Sequence, residues 1–203
     1  MISRFLLHLI DLEELRPKNN TCPSSIDLFK SRKIFLEGSS LSESGYTVRK
    51  FEREDLERVM HINEKCLPEN YSSYFYLGLY EKYPETFLVA DTGDQVQGYI
   101  MCRIERGWSK IGNLIPVRLI HIVSIAVMPE YRRRGIGESL IVEAMKRGRE
   151  AYGANEGYLE VRVSNDPAIK LYDKLGFEQV KRNYGYYLDG EDAWVMAANL
   201  DNF

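Results

Sequence analysis

Between residues 118 and 151 an apolar, β-branched run ends at Pro129 and passes through Arg132, Arg133 and Arg134. It turns at Gly135-x-Gly137 and becomes a helix with Ile136, Leu140, Ile141, Ala144 and Met145 on one face. A buried strand feeding an amphipathic helix calls for a sheet with helices packed on it, so the chain reads as an α/β protein. Glycines at 135 and 137 let the backbone approach a ligand closely. The helix opens with N–H groups that lack an intrahelical acceptor, at the positive end of its dipole. Three arginines beside that end make the turn a cradle for a pyrophosphate. GxxxxGK[ST] does not occur, and Gly135-x-Gly137 lacks the third glycine of a dinucleotide fingerprint, so neither of those phosphate sites is expected.

The rest of the pattern places this unit in a larger domain. Residues 46–52 alternate as a strand, and 53–66 and 70–83 read as helices broken at Pro68. Strands follow at 86–90 and 96–106 around a turn at 91–94, and then comes the apolar strand at 118–127. After the helix at 135–151 come a strand at 158–163, a helix at 167–175, and strands at 177–188 and 193–200. The order is β-α-α-β-β-β-α-β-α-β-β, without an internal repeat.

Ahead of it, residues 38–45, GSSLSESG, have linker composition. They divide an N-terminal helical extension at 1–37 from a domain at 46–203. In the extension Ile2, Phe5, Leu6, Leu9 and Leu12 recur at helical spacing until Pro17. His8, the acidic residues Asp11, Glu13 and Glu14, and the lack of a small-residue cleavage site distinguish it from a signal peptide. The stripe suits packing on its own domain or contact with another copy, and its acidic polar face disfavours a membrane surface. A net charge of −3 leaves no basic footprint for nucleic acid. Cys22, Cys66 and Cys102 are scattered, without CxxC, so a disulfide framework and a Cys-rich zinc site are not expected. The expectation is a cytoplasmic protein with no metal, membrane or nucleic-acid partner.

Arg132 to Gly137 fits [Q/R]-x-x-G-x-[G/A], the pyrophosphate motif of the GNAT superfamily of acetyl-CoA-dependent N-acetyltransferases. The chain also resembles that family at Leu159–Asn165, LEVRVSN, at Ala168, and at Leu171–Phe177, LYDKLGF. Leu67–Tyr71, LPENY, Tyr74-Phe75-Tyr76, and Tyr186–Ala193, YYLDGEDA, narrow the likeness. So do Tyr99–Gly107 and His121–Val127, HIVSIAV. With these the chain is similar to N-terminal acetyltransferases of the NatA catalytic-subunit kind, above all archaeal stand-alone ones. The likeness covers about residues 46–200; the first 45 residues match nothing in it. It implies a GNAT fold, a mixed and mostly antiparallel sheet splayed at the acetyl-CoA site, with about four flanking helices.

The resemblance implies acetyl-CoA as cofactor, CoA as product and no metal. Its cofactor residues would be Ile125, Ala126, Val127, Arg132, Arg133, Arg134, Gly135, Ile136, Gly137, Glu138, Ser139, Asn165 and Tyr172. Asn165 would bond the pantetheine arm, and before Pro167 it also suits a helix N-cap. Tyr172 would lie by the thioester sulfur and protonate the departing thiolate; core packing is its alternative. Backbone N–H groups near Val127 would face the acetyl carbonyl. The acceptor implied is a protein's α-amino group, on nascent or mature chains, with the ribosome as one setting. Side-chain choice would cover Ser, Ala, Thr and Met-started chains.

Glu69 and His121 are the candidate bases, with a helix-terminal carboxylate and a hydrogen-bonded core histidine as their alternatives. Strand parity places His121 on the face of Val123, Ile125 and Val127. Arg162 matches an active-centre arginine, or is a paired surface residue. Leu67, Pro68, Glu69 and Tyr71 on one loop and Tyr186 and Tyr187 on another would hold the peptide. The rivals are a GNAT enzyme of another amine (a ribosomal-protein N-terminus, lysine or a small amine) and a non-catalytic acetyl-CoA-binding regulator. A nucleic-acid module built on Arg132–Arg134 is disfavoured by the acidic balance. The assembly expected is a monomer, or a homo-oligomer through the N-terminal arm.

Overall fold

The computed structural model describes residues 45–112 and 114–203. The expected helix at 2–15 and the linker up to residue 44 lie outside the described residues. Seven strands form one sheet in the order β1-β2-β3-β4-β5-β7-β6. They are β1 Thr47–Lys50, β2 Phe87–Asp91, β3 Val96–Trp108, β4 Pro116–Val127, β5 Glu156–Arg162, β6 Glu178–Asn183 and β7 Ala193–Asn199. The α-helices are α1 Leu56–Cys66, α2 Ser73–Lys82, α3 Ile136–Tyr152 and α4 Asp166–Lys174. Every neighbouring pair is antiparallel except β4 and β5.

The middle strands are apolar on both faces, so helices cover both. Phe87 to Ala90 and Val96 to Cys102 are buried residue after residue, as in strands without a solvated side. Ile136, Leu140, Ile141, Ala144 and Met145 of α3 and Ile169 of α4 form one cluster with Ile100, Ile120 and Leu159. Across the sheet, Val59 and Ile62 of α1 and Tyr76 and Leu79 of α2 join Phe87, Val89, Tyr99 and Met101. A third cluster, Leu119, Tyr158, Val195 and Ala197, is built from strand residues alone. The half of the sheet beyond β4 is where a groove can form.

Two irregularities in β4 shape that groove. β5 pairs with it only at Leu119–Glu156, Ile120–Gly157 and His121–Tyr158. Past those pairs β4 runs on to Val127 and β5 to Arg162, and the sheet opens as a V. The register with β3 also slips between Met101–Ser124 and Cys102–Ile122, leaving Val123 as a bulge. The parity expected for His121 is therefore corrected. His121 pairs with Arg103 and shares the side of Met101, Val123 and Ala126, whereas Ile125 and Val127 join the α3 side. A single extra residue turns every later side chain to the other face.

Of the element boundaries that differ from the pattern, two bear on the groove. The helix expected at 70–83 starts at Ser73: Pro68 holds Leu67 extended (φ −131°, ψ 141°), and Ser72, the N-cap, is extended too (φ −71°, ψ 154°). The strand expected at 177–188 ends at Asn183. Gly185 (φ 57°) and Gly190 (φ 87°) turn the chain. Asp192 Oδ1 accepts from Gly185 N at 2.7 Å, and Tyr187 N donates to Glu191 O at 3.0 Å. The tyrosines at 186 and 187 have strand propensity, yet these turn bonds put them on a loop.

Candidate active site

The glycine turn delivers α3 with its N-terminus open. Gly135 is the N-cap, in the left-handed region (φ 82°), with no side-chain cap. Arg133 is also left-handed (φ 63°) and exposed, a backbone that costs a side-chain-bearing residue about 1–2 kcal/mol. Arg132 Nε donates to Val127 O at 2.9 Å, and Arg134 donates to Glu130 O at 3.0 Å. Those two brace the turn. Gly137 has no positive φ, and a Cβ there would meet only Leu171 Cδ2 at an ordinary 3.4 Å. The fold leaves room for a side chain where glycine weakens the helix, so the space fits a ligand at the helix N-terminus. Ala126 and Ile136 bury their side chains in the core and offer a ligand their backbone, while Ile125 is half-buried against it. Glu138 pairs with Lys174 at 2.6 Å, tying α3 to α4.

The V between β4 and β5 carries backbone donors. Met128 N donates to Gln97 O at 2.9 Å. Antiparallel pairs alternate between bonded and non-bonded, so the Gly98–Val127 and Ile100–Ile125 pairs turn the N–H groups of Val127 and Ile125 away from β3. They face the gap that β5 has left. Val127 O accepts from Arg132 and, at 3.5 Å, from Cys66 Sγ. On the other wall Asn165 caps α4, its Oδ1 accepting from Ala168 N at 3.3 Å. Tyr172 is buried in the α3–α4 core, its ring 5.9 Å from Phe177. Burial, then the nearby Cys102, raises its pKa, so the phenol keeps its proton.

On the groove side an ion cluster surrounds His121. Its Nε2 lies 2.7 Å from Glu160 Oε2 and its Nδ1 3.4 Å from Glu105 Oε1. The ring stacks on Tyr158 at 4.3 Å, and Tyr158 donates to Glu105 Oε2 at 2.7 Å. Arg103 pairs with Glu105. Burial opposes charge on His121, but Glu160 and Glu105 outweigh it and raise its pKa. Burial likewise opposes charge on Glu105, yet His121 and Arg103 hold its carboxyl at about 2. Glu160 is lowered by His121 against its own burial.

A second cluster closes the groove mouth. Arg162 binds Glu69 at 2.8 Å, Asp189 at 2.7 Å and Glu191 at 2.8 Å, and sits 3.9 Å over the Tyr187 ring. The guanidinium thus joins the α1–α2 loop to the β6–β7 loop. Tyr71 stacks on Phe75 at 4.8 Å, and Tyr186 meets Tyr187 edge-on at 5.2 Å. Burial first, then carboxylates (Glu69 beside Tyr71 and Tyr187, Glu160 beside Tyr186), raises all three phenols, which stay neutral. Leu67 packs half-buried on the α1–α2 side, and Pro68 is exposed at the loop.

Residues 56–177 match the model of the acetyltransferase (GNAT) family. The chain belongs to this family. Among curated relatives it is 49% identical over 156 residues to an N-alpha-acetyltransferase of Sulfurisphaera tokodaii, covering 76% of this chain and 93% of that one. Among solved structures it is similar to Ard1 from Thermoplasma volcanium (30% identity, TM-score 0.66, 76% of this chain and 97% of that one). It is also similar to Chaetomium thermophilum Naa20 in complex with a bisubstrate analogue (31% identity, TM-score 0.66, 77% and 87%). The GNAT cofactor is acetyl-CoA, and the open helix N-terminus, the room at Gly137 and the V between β4 and β5 fit it.

In this GNAT domain the structure brings together Glu69, Tyr71, Arg162, Tyr186 and Tyr187 at the mouth and sets His121 beneath. Sequence reasoning missed Arg103, Glu105, Tyr158 and Glu160, the partners of His121, and Asp189 and Glu191, the partners of Arg162. A signal existed. Arg103 and Glu105, and Glu160 and Arg162, are charges two apart and so on one face of strands whose intervening residues are apolar, which marks one polar patch on a buried face. No group of three or more His, Cys, Asp or Glu side chains poised for a metal occurs among the described residues. No helix among them is long and apolar enough to cross a membrane.

Proposed function

We propose that this chain transfers the acetyl group of acetyl-CoA directly to the α-amino group of protein N-termini, taking Ser, Ala, Thr and Met-started chains in the cytoplasm. The observation that carries the reading is the parting of β4 and β5 at His121 and Tyr158. The gap opens toward the α3 cradle on one side of the sheet and toward the His121 cluster on the other. The curated relatives' names and the bisubstrate analogue on Naa20 support the same reading.

Bound acetyl-CoA supplies an activated thioester. The Ile125 and Val127 N–H groups, turned into the gap, offer donors to the acetyl oxygen as it gains charge. His121 can take up the proton of the incoming amine only from its neutral form, which Glu160 and Glu105 disfavour, and Tyr186 is hydrogen-bonded to Glu160 at the edge of the pair. Glu69 and Arg162 set the loop that admits the peptide, and Glu69 is the second candidate base. Tyr172 holds a proton for the departing thiolate. Cys102 is sealed in the core with its thiol pKa raised by burial, and Cys66 Sγ is bonded to Val127 O, so neither described cysteine is poised as a nucleophile and transfer is direct. Neutral phenols at 71, 186 and 187 grip a peptide backbone without competing for its charge. The ribosome as a setting and association through the arm at 1–37 complete the proposal.

The test is mass spectrometry on short peptides with free N-termini and on the same peptides blocked and carrying an internal lysine. At pH 7.5 roughly a third of α-amines are neutral, against about one lysine in a thousand. Acetylation confined to the free α-amine is expected. Comparable kcat/KM on the blocked set would move the chain to lysine chemistry, and acetyl-CoA binding without turnover on either set would make it a regulator.

A further inference from the structure

The first buried side chain of the domain, Tyr46, reaches the cofactor cradle from behind. Its ring lies in the core cluster with Ile136 and Leu140 of α3. Its hydroxyl sits 2.8 Å from Ser139 Oγ, in the first turn of α3. The same oxygen would lie 3.4 Å from a Cβ on Gly135, the left-handed N-cap of that helix. One phenol therefore contacts both the turn and the helix start that together make the cradle. Ser139 N donates to Gly135 O at 2.9 Å, the first bond of the helix, so Ser139 is fixed to the turn through its backbone and to Tyr46 through its side chain. The phenol links the residue just ahead of β1 to the turn that positions the open N–H groups.

We propose that Tyr46 is a positioning residue for acetyl-CoA: its hydroxyl braces Ser139 and the Gly135 turn from the rear, holding the α3 N–H groups at the pyrophosphate. The inference rests on the acetyl-CoA reading above. Each open N–H at a helix terminus binds an anion well only if held in direction, since a charge-assisted hydrogen bond weakens steeply off line. The turn is where this holding is needed, because it contains two left-handed residues, Arg133 and Gly135, in a loop exposed on its outer side. The α1–α2 loop and the His121 cluster lie on the other side of the sheet, so the effect is confined to the cofactor.

The experiment is calorimetric titration of acetyl-CoA into the full chain and into Tyr46→Phe, Ser139→Ala and the double variant, with steady-state kinetics on a free-N-terminus peptide. Loss of one neutral hydrogen bond at a positioning site should raise the acetyl-CoA Kd roughly three- to tenfold. The acetyl-CoA KM should rise with it while the peptide KM at saturating acetyl-CoA stays put. The double variant should be no worse than the weaker single one, because both remove the same bond. Ser139→Thr, which keeps the hydroxyl, should restore binding. An unchanged Kd in folded Tyr46→Phe, or additive losses in the double variant, would overturn the proposal while leaving the acetyltransferase reading intact. Should Tyr46→Phe not fold, amide exchange in the first turn of α3 without acetyl-CoA decides: it should quicken in Ser139→Ala, and an unchanged rate would overturn the proposal. A wild-type chain that binds no acetyl-CoA would overturn both.

Discussion

Gly137 lies two residues into α3 with an ordinary backbone and with space beside Leu171. Gly135 differs, since its φ of 82° suits only glycine without strain. Substituting the two should therefore have different signatures. Gly137→Val should fold with a melting temperature near wild type and bind acetyl-CoA at least tenfold more weakly, an effect of filling the pyrophosphate space worth about 1.4 kcal/mol or more. Near-wild-type affinity in the folded variant would remove the cradle from this turn. His121 has a signature in pH. Its pKa is raised in the folded chain, so its stabilisation is complete below about pH 6.5 and fades as pH climbs through the folded value. Glu105 and Glu160 are lowered, so theirs is complete above about pH 4.3 and is lost only as pH falls toward the folded values, about 2 for Glu105. Thermal melts of wild type against His121→Gln should differ most between about pH 4.5 and 6.5. A difference that widens from pH 6.5 to 9 would mean the imidazole is not held charged.

At the scale of elements, the groove is made by two loops and one arginine. Arg162 at the end of β5 holds Glu69 from the α1–α2 loop and Asp189 and Glu191 from the β6–β7 loop. Removing it leaves three carboxylates facing one another, and like charges this close push loops apart. Arg162→Ala should raise the peptide KM about tenfold and leave the acetyl-CoA Kd within about twofold, because the pantetheine side of the V does not use it. Arg162→Lys should recover part of the loss, having charge but no planar fork. Equal losses for both substrates would mean the arginine supports the V itself rather than the groove. The exposed half of this network is also screened by salt, so the peptide KM should climb from low to high ionic strength more steeply in wild type than in Arg162→Ala.

For the whole molecule, the choice of amine combines protonation with shape. Protonation alone predicts that lysine becomes competitive as pH rises, since roughly a tenth of lysine side chains are neutral at pH 9.5. Shape predicts otherwise. Tyr71 from one loop and Tyr186 and Tyr187 from the other stand on either side of a groove latched by Arg162. A chain end enters between them, whereas an internal lysine has to bring continuous backbone across both loops. Blocked lysine peptides should therefore remain poor substrates at pH 9.5, as read by kcat/KM relative to free N-termini. A ratio that collapses toward one would leave protonation as the sole basis of the choice.

Much of this was legible in the amino-acid order because it is local. The order of strands and helices follows from periodicity, the open helix start from Gly135-x-Gly137 and the arginines, and the cap of α4 from Asn165. The LPENY, LEVRVSN and YYLDGEDA segments carried the family, and with it the groove residues. What the tertiary structure decided is what depends on partners distant in sequence. The bulge at Val123 is set by pairing with β3, and it placed His121 on the side opposite Ile125 and Val127. The turn bonds at Asp192 and Glu191 stopped β6 at Asn183 and put Tyr186 and Tyr187 on a loop. Glu105 and Glu160 reach His121 from two different strands, and Tyr46 reaches Ser139 across 93 positions of sequence. A pattern of apolar and polar residues records which face a side chain prefers; it does not record which strand lies beside it, and the charges of this site are set by that neighbour.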